Sequence, residues 1–262
     1  MRIPIHQVDA FTARRFAGNP AAVCVLQDWL PDATLQSIAA ENNLAETAFV
    51  RKLDDAHFDL RWFTPAIEVD LCGHATLASA FVLRRIGLAK GDELRFATRE
   101  AGELLVRVDG ELLELDFPAR APSEVAKIAG LDAALGGVPV RSLWRARKYM
   151  AVLDDEAAVL AVRPDLAFVK AMDGDGLIVT APGREVDFVS RYFAPHAGID
   201  EDPVTGSAHC TLVPYWAQRL GRATLQARQV SPRGGELRCR LVGDRVRMAG
   251  RCAPYLVGEI EI

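Results

Sequence analysis

The chain contains one stretch twice. Arg61-Trp62-Phe63-Thr64-Pro65 returns 130 residues later (191 − 61) as Arg191-Tyr192-Phe193-Ala194-Pro195. After a short loop, each copy is followed by a glycine turn and an apolar helical pattern, which begin at Cys72-Gly73-His74 and at Thr205-Gly206-Ser207. Because block, loop, turn and helix recur in the same order, the sequence predicts a duplicated fold with two pseudo-twofold related halves.

The sequence around the repeat predicts the α+β class. Short alternating stretches such as residues 47–50 and 59–63 are typical of strands. A helix is expected from about His74 to Arg85, and Asp109-Gly110 between alternating strands indicates a hairpin.

The boundary between the halves is expected at residues 118–122, where two prolines interrupt the pattern. This gives an N-terminal half of residues 1–118 and a C-terminal half of residues 119–262. The last stretch, residues 255–262, alternates as a strand. It could complete the second half or return to the first, and the sequence leaves both paths open.

Composition excludes several classes of protein. Of the 262 residues, 50% are hydrophobic and 25% charged, and the net charge of −4 favours neither nucleic acid nor a membrane surface as a partner. No apolar run approaches the roughly 18 residues of a membrane span. The five scattered cysteines show no C-x-x-C spacing, and the N-terminus does not resemble a signal peptide. We therefore expect a cytoplasmic protein with reduced cysteines.

The two repeated helix starts are candidate binding elements. A helix N-terminus has unpaired N–H groups and the positive end of the helix dipole, which suit a carboxylate. If the two halves face one another, Gly73-His74 and Gly206-Ser207 would flank a small carboxylic acid and stabilise an enolate. Taken singly, each glycine turn is better explained as ordinary helix N-capping.

Glu46 is the leading candidate for an acid/base group. It precedes an apolar strand, and its counterpart in the repeat is Gly176, in a block that otherwise keeps the apolar pattern. A carboxylate present in one half and absent from the other is expected of a specialised base rather than of a folding element. An ordinary exposed glutamate is the alternative. His74 is a second candidate, able to donate to a substrate oxygen or to relay a proton.

Other polar residues are weaker candidates. Asp202 could cap the second repeated helix, orient His74 or hold a polar substrate group. Ser207 is a possible hydrogen-bonding residue. Gly18-Asn19-Pro20 is a turn signal whose residues could line the site.

Together these motifs resemble the PhzF-like phenazine-biosynthesis isomerase family. The resemblance rests on Gly18-Asn19-Pro20, Glu46-Thr47-Ala48-Phe49, the first repeat block, Leu71 to Thr76 and Asp202 to Ser207. It implies the diaminopimelate-epimerase-like fold, in which each half wraps a curved, mostly antiparallel sheet or barrel around a central helix. It also implies a homodimer without metal or organic cofactor.

The same resemblance implies roles for individual residues. Glu46 would move a proton between carbons of a cyclic hydroxy-amino acid, and His74, Asp202 and Ser207 match the remaining polar positions. Around Gly73-His74 the chain has Cys72 and Ala75, a departure from the enzyme of phenazine synthesis. The expected substrate is therefore a small, cyclic carboxylic or amino acid, without the phenazine precursor being implied.

Two other functions are consistent with the sequence. A racemase or epimerase would use one cysteine at each helix start, and Cys72 occupies the first position, whereas the second lies near Pro203, which cannot act as a base. A non-catalytic protein could bind a small acid in the same place. A metal site is not indicated, because His74, His209, Cys72 and Cys210 lack the usual ligand spacing.

Overall fold

The computed structural model describes all residues, 1–262, and divides the chain into two compact units. Unit 1 comprises residues 1–116 and 249–262, and unit 2 comprises residues 117–248. No helix in either unit has the length and apolar character needed to cross a membrane.

Unit 1 is formed mainly by strands, with two helices. The strands are β1 (Arg2–Ala10), β2 (Asn19–Leu26), β3 (Glu46–Lys52), β4 (His57–Phe63), β5 (Glu68–Val69), β6 (Glu93–Ala97), β7 (Glu103–Asp109), β8 (Leu112–Pro118) and β17 (Cys252–Glu261), and the helices are α1 (Asp32–Asn42) and α2 (Gly73–Arg85). The sheet order is β17-β1-β2-β3-β4-β6-β7-β8. Only the β2–β3 and β4–β6 pairs are parallel.

Helix α2 is the central helix of unit 1. Its side chains are buried around most of its circumference, including polar Thr76 and Ser79. These two hydroxyls donate to the carbonyls of Cys72 and Ala75 one turn earlier, so they are buried without losing a hydrogen bond. A helix buried on all sides belongs inside a layer of sheet, and α2 packs on β1, β2 and β3.

Unit 2 contains the remaining elements. They are β9 (Ser123–Val125), α3 (Leu131–Ala134), β10 (Ser142–Arg145), β11 (Tyr149–Val152), α4 (Glu156–Ala161), α5 (Leu166–Ala171), β12 (Leu177–Pro182), β13 (Phe188–Phe193), α6 (Gly206–Leu220), β14 (Thr224–Gln229), β15 (Gly235–Val242) and β16 (Arg245–Gly250), with a 3₁₀ turn at Pro195–Ala197. The sheet order is β9-β10-β11-β12-β13-β14-β15, and α6 is buried along most of its length.

The internal repeat is visible in the register of each sheet. In unit 1, β3 and β4 pair Thr47 with Phe63, and in unit 2, β12 and β13 pair Leu177 with Phe193. Each residue of the second pair is 130 positions beyond its counterpart (177 − 47 and 193 − 63). Both sheets also have the same succession of antiparallel and parallel neighbours. The duplication inferred from the sequence therefore extends to strand register.

The repeated arginine has the same contacts in both units. Arg61 forms a two-pronged ion pair with Glu68, at 2.7 Å for both bonds, and stacks on Phe63 at 5.0 Å. Arg191 forms the same pair with Glu201, at 2.7 and 2.9 Å, and stacks on Phe193 at 5.0 Å. Each pair ties the end of a strand to the loop that precedes the central helix.

The last strand does not belong to the second half. β17 pairs along its whole length with β1, from Arg2 opposite Glu261 to Ala10 opposite Cys252. The assignment of residues 119–262 to one C-terminal half is therefore corrected for residues 249–262, which lie in unit 1. The sequence-derived boundary at 118/119 lies two residues beyond the 116/117 division in the structure.

Candidate active site

The candidate site in unit 1 is centred on His74, the second residue of α2. The helix begins where Cys72 leaves an extended backbone (φ −137°, ψ 112°) and Gly73 enters the first turn. The side chain of Cys72 makes no capping hydrogen bond. The first turn of α2 therefore has no N-cap side chain on its backbone N–H groups, as a helix start that binds an anion requires.

Glu46 contacts His74 at the Nε2 edge of its ring. It is the first residue of β3, and its Oε2 lies 3.0 Å from Nε2 of His74. The Glu46 side chain is 13% exposed and that of His74 is 6% exposed. The second carboxylate oxygen, Oε1, makes no hydrogen bond within the chain. Glu46 thus has one oxygen within ion-pair distance of His74, although the two atoms are not in hydrogen-bond geometry, and one oxygen available to a ligand.

Asn19 and Cys72 contact the other ring nitrogen. The side-chain amide of Asn19, at the start of β2, lies 3.1 Å from Nδ1 of His74, and the Cys72 sulfur lies 3.5 Å from the same atom. Gly18 precedes Asn19 with φ +64°, and a Cβ there would lie 2.2 Å from the carbonyl oxygen of Ala10. The Gly18-Asn19 turn thus needs glycine in order to place Asn19 against the ring.

The electrostatics of the group follow from its burial. Burial, with the charge of Glu46, raises the pKa of the Cys72 thiol, which is therefore neutral. Burial alone would lower the pKa of His74, but the neighbouring anionic groups outweigh it and hold that pKa well above its usual value. Because the thiol is neutral, the Glu46 carboxylate is the anion responsible. His74 and Glu46 therefore form a buried ion pair, with Nε2 and Oε2 3.0 Å apart.

The same residues include potential metal ligands. Glu46, Cys72 and His74 place an oxygen, a sulfur and a nitrogen within 4.8 Å of one another. The spacing of these residues in the sequence did not predict this group. However, Nε2 of the ring faces Glu46 and Nδ1 faces Cys72. One ion cannot be bound by all three residues unless the ring turns, so this geometry suits proton transfer better than metal binding.

Unit 2 brings together the remaining candidates. Asp202 is 8% exposed, and its carboxylate accepts a hydrogen bond from the hydroxyl of Thr205, the N-cap residue of α6. Gly206 and Ser207 form the first turn of that helix. Gln229 fixes this loop by donating to the Asp202 carbonyl at 2.7 Å and accepting from the Thr205 N–H at 2.9 Å.

The structure explains why unit 2 has no counterpart of Glu46. Gly176 has φ +122°, and a Cβ there would lie 2.4 Å from the Phe193 carbonyl oxygen and 3.0 Å from the Tyr192 hydroxyl. Any side chain at this position meets both steric overlap and an unfavourable backbone conformation. The carboxylate of Glu46 thus has no equivalent in unit 2.

One detail of the sequence interpretation is corrected. The counterpart of Cys72 is Thr205 and not Pro203, because each residue directly precedes the first glycine of its central helix. The repeat itself contained this signal, in the parallel between Cys72-Gly73 and Thr205-Gly206. Gln229 was not found from the sequence, since nothing local marks its contact with a loop 24 residues away.

The chain is similar to known proteins over nearly its full length. The model of the phenazine biosynthesis-like protein family, PhzC-PhzF, matches residues 8–258. The chain is 52% identical over 262 residues to a Pseudomonas aeruginosa protein named as an uncharacterized isomerase, with 100% of each chain covered. The crystal structure of a PhzF-family protein from Enterococcus faecalis is 47% identical, with a TM-score of 0.97 and 100% of both chains covered.

A more distant structure supports the fold alone. A hydroxyproline epimerase from Agrobacterium vitis is 11% identical, with a TM-score of 0.61, and the match covers 99% of this chain and 92% of the other. The two share the diaminopimelate-epimerase-like fold of two α+β units, as the sequence predicted.

The chain belongs to the PhzC-PhzF family of phenazine biosynthesis-like proteins. It is an enzyme of the isomerase class. The alternative of a non-catalytic binding protein therefore has no support.

Proposed function

We propose that this enzyme is a cofactor-independent isomerase that moves a proton between two carbons of a small carboxylic or amino acid. Glu46 takes the proton from one carbon and returns it to another. The observation that carries this proposal is the buried Glu46–His74 contact at 3.0 Å, with Oε1 of Glu46 making no hydrogen bond within the chain. A carboxylate held on one side by a histidine is positioned to exchange a proton on the other.

The remaining residues of unit 1 have supporting roles in this proposal. His74 shares a proton with Oε2 of Glu46, so the carboxylate changes protonation without being left as an isolated buried charge. Asn19 fixes the ring from the opposite side, at Nδ1. The backbone N–H groups at Gly73 and His74 would stabilise the negative charge that develops on the substrate as the carbon loses its proton.

In unit 2, we propose that Asp202, Gly206 and Ser207 bind polar groups of the substrate. Ser207 supports this role because its hydroxyl makes no hydrogen bond within the chain. Asp202 is held in place by the hydroxyl of Thr205.

Exchange with heavy water tests the proton transfer. Incubated in D₂O with a panel of small cyclic carboxylic and amino acids, the wild-type enzyme should introduce deuterium at carbon into at least one of them, as measured by mass spectrometry. Glu46→Gln should slow this exchange by at least on the order of 10²–10⁴-fold while leaving binding largely intact. Glu41→Gln, on the exposed face of α1, is the matched control and should exchange at the wild-type rate. Near-normal exchange by Glu46→Gln would show that the mechanism is wrong.

Cysteine-dependent racemisation is the second candidate. Cys72 favours it by position, but its thiol is buried, has a raised pKa and has no cysteine partner, because Thr205 occupies the equivalent place. We expect Cys72→Ser to retain most of the exchange activity. A loss as large as that of Glu46→Gln would favour the racemase.

The cellular setting belongs to the same proposal. Five free cysteines favour a reducing compartment, and we propose the cytoplasm. The family resemblance supports a homodimer, and sedimentation velocity on the purified enzyme would measure its mass.

A further inference from the structure

Unit 2 contains a buried lysine that the proposed proton transfer does not use. Lys148 ends the turn between β10 and β11, where its carbonyl accepts a hydrogen bond from the N–H of Ala146 at 3.1 Å. The residue is 6% exposed. Lysine is almost never this buried unless its charge is paired, so the surroundings of its ammonium group need an explanation.

The ammonium group of Lys148 is poorly paired. It makes no hydrogen bond within the chain, and its nearest carboxylate oxygen, Oδ2 of Asp175, lies 3.8 Å away. That oxygen is already paired with Nε of Arg147 at 3.1 Å. The Tyr192 ring lies 5.2 Å from Nζ and supplies a weak cation–π contact.

The local charge is therefore positive. Arg120 and Arg147 both act on Lys148 electrostatically, and Asp175 is the single carboxylate that opposes these three cations there. Burial, together with the two arginines, lowers the pKa of Lys148 in spite of Asp175. The chain leaves the hydrogen-bond donors of this ammonium group unused, so an anion supplied from outside the chain can accept from them.

Lys148 lies beside the candidate residues of unit 2. Its neighbour Tyr192 accepts a hydrogen bond from the N–H of Asp202 at 3.0 Å. The charge of Lys148 also acts on Cys210, whose sulfur contacts the Gly206 carbonyl in the first turn of α6 at 3.7 Å. The lysine thus packs on the ring of Tyr192, the residue whose backbone carbonyl holds the N–H of Asp202.

The internal repeat relates the position of Lys148 to that of Glu46. β11 and β12 pair Tyr149 with Leu177, so Lys148 and Gly176 are neighbours one residue before the pair. In unit 1 the counterpart of Gly176 is Glu46, which is paired with Ala21 on the adjacent strand. Where unit 1 has a carboxylate at the start of one strand, unit 2 has glycine there and a lysine on the adjacent strand.

We propose that Lys148 binds the carboxylate of the substrate in unit 2 and so determines that the enzyme accepts acids rather than their neutral analogues. Arg120 and Arg147 add positive charge, and the N–H groups at the start of α6 add donors. The inference rests on the proposed function only in taking the bound carboxylate to be that of the substrate.

A pair of matched probes tests this role. Isothermal titration calorimetry compares cyclohex-1-ene-1-carboxylate with the corresponding carboxamide, which has nearly the same shape and no charge. The wild-type enzyme should bind the acid at least tenfold more tightly than the amide. Lys148→Met and Lys148→Gln should remove that preference without weakening amide binding, and Lys148→Arg should keep most of it. Lys170→Met, an exposed lysine on α5, should behave as wild type.

The outcomes separate binding from structure. A lysine that only stabilises the fold would, when replaced by methionine, lower the melting temperature but leave the acid-to-amide ratio unchanged, and that result would overturn the proposal. Equal binding of acid and amide by the wild-type enzyme would overturn it without any variant. Because the titration does not depend on turnover, an absence of deuterium exchange would contradict the proposed function alone.

Discussion

His74 is the residue on which the candidate site depends. Its two ring nitrogens are engaged from opposite sides, by Glu46 at 3.0 Å and by Asn19 at 3.1 Å. A buried imidazole held in this way has a fixed orientation, so the carboxylate that it contacts is also fixed. In the proposed mechanism, the Glu46 carboxylate is therefore positioned before a substrate arrives, which lowers the cost of orienting it during the reaction.

Gly176 is the counterpart of Glu46 in the repeat, and replacing it tests how much this glycine contributes to stability. We expect Gly176→Ala to lower the free energy of unfolding by about 3 kcal/mol, because it combines backbone strain with overlap against the Phe193 carbonyl. Gly137→Ala is the control. It also has a positive φ, +84°, but nothing lies within 4 Å of its Cβ position, so a loss of about 1 kcal/mol is expected.

Urea unfolding followed by circular dichroism would measure both glycine variants. Equal losses for the two would show that the crowding at Gly176 contributes nothing.

At this scale the sequence predicted part of the site. Glu46 was found because the repeat lacks a carboxylate at Gly176, and His74 because it starts a repeated helix. Lys148 was not found, since a single lysine before a strand is usually exposed. Its burial depends on Tyr192 and Asp175, which reach it through the fold rather than through neighbouring sequence.

At the scale of elements, the paired arginines hold the loops that lead to the central helices. Arg191 is bound by Glu201 and also donates to the carbonyls of Val159 and Val162, so it joins strand, loop and helix end. The loop between β13 and α6 carries Asp202. The position of Asp202 therefore depends on the ion pair between the adjacent Glu201 and Arg191.

We expect Glu201→Gln to lower the free energy of unfolding by about 2–3 kcal/mol, because it leaves the mostly buried Arg191 without its counter-charge. Glu185→Gln, whose side chain is 82% exposed, is the matched control and should change stability by less than about 0.5 kcal/mol. Chemical denaturation gives both values. A loss no greater than that of the control would mean that the pair is not structurally important.

Helix α2 and the hairpin between β7 and β8 were predicted from the sequence. Helix α2 begins one residue before the predicted His74 and ends at the predicted Arg85. The predicted hairpin forms, but its two loop residues are Gly110 and Glu111, with Gly110 at φ +61° and Asp109 paired with Leu112 in the strands. Both rest on local patterns. The path of β17 does not, because an alternating strand gives no information about which edge it will join.

At the scale of the whole molecule, unit 1 is built from both ends of the chain. β1 has β2 on one side and β17 on the other, and the Ile262 N–H donates to the Met1 carbonyl at 2.9 Å. Without β17, the edge of β1 would be left with unpaired backbone groups.

We expect removal of residues 252–262 to abolish protection of the β1 amides in hydrogen exchange measured by mass spectrometry, while β12 and β13 in unit 2 remain protected. Removal of only residues 261–262, which leaves most of the pairing with β1 intact, is the control and should preserve that protection. Persistent protection of β1 in the longer deletion would show that β17 is dispensable.

The return of β17 to unit 1 also has a consequence for synthesis on the ribosome. The segment 117–248 is continuous, so unit 2 is complete in the nascent chain before residues 252–261 have been made. Unit 1, although translated first, must wait for the last strand to close its sheet. The half that carries Glu46 is therefore completed last, and a chain that ends before residue 252 has an open β edge, which is prone to aggregate.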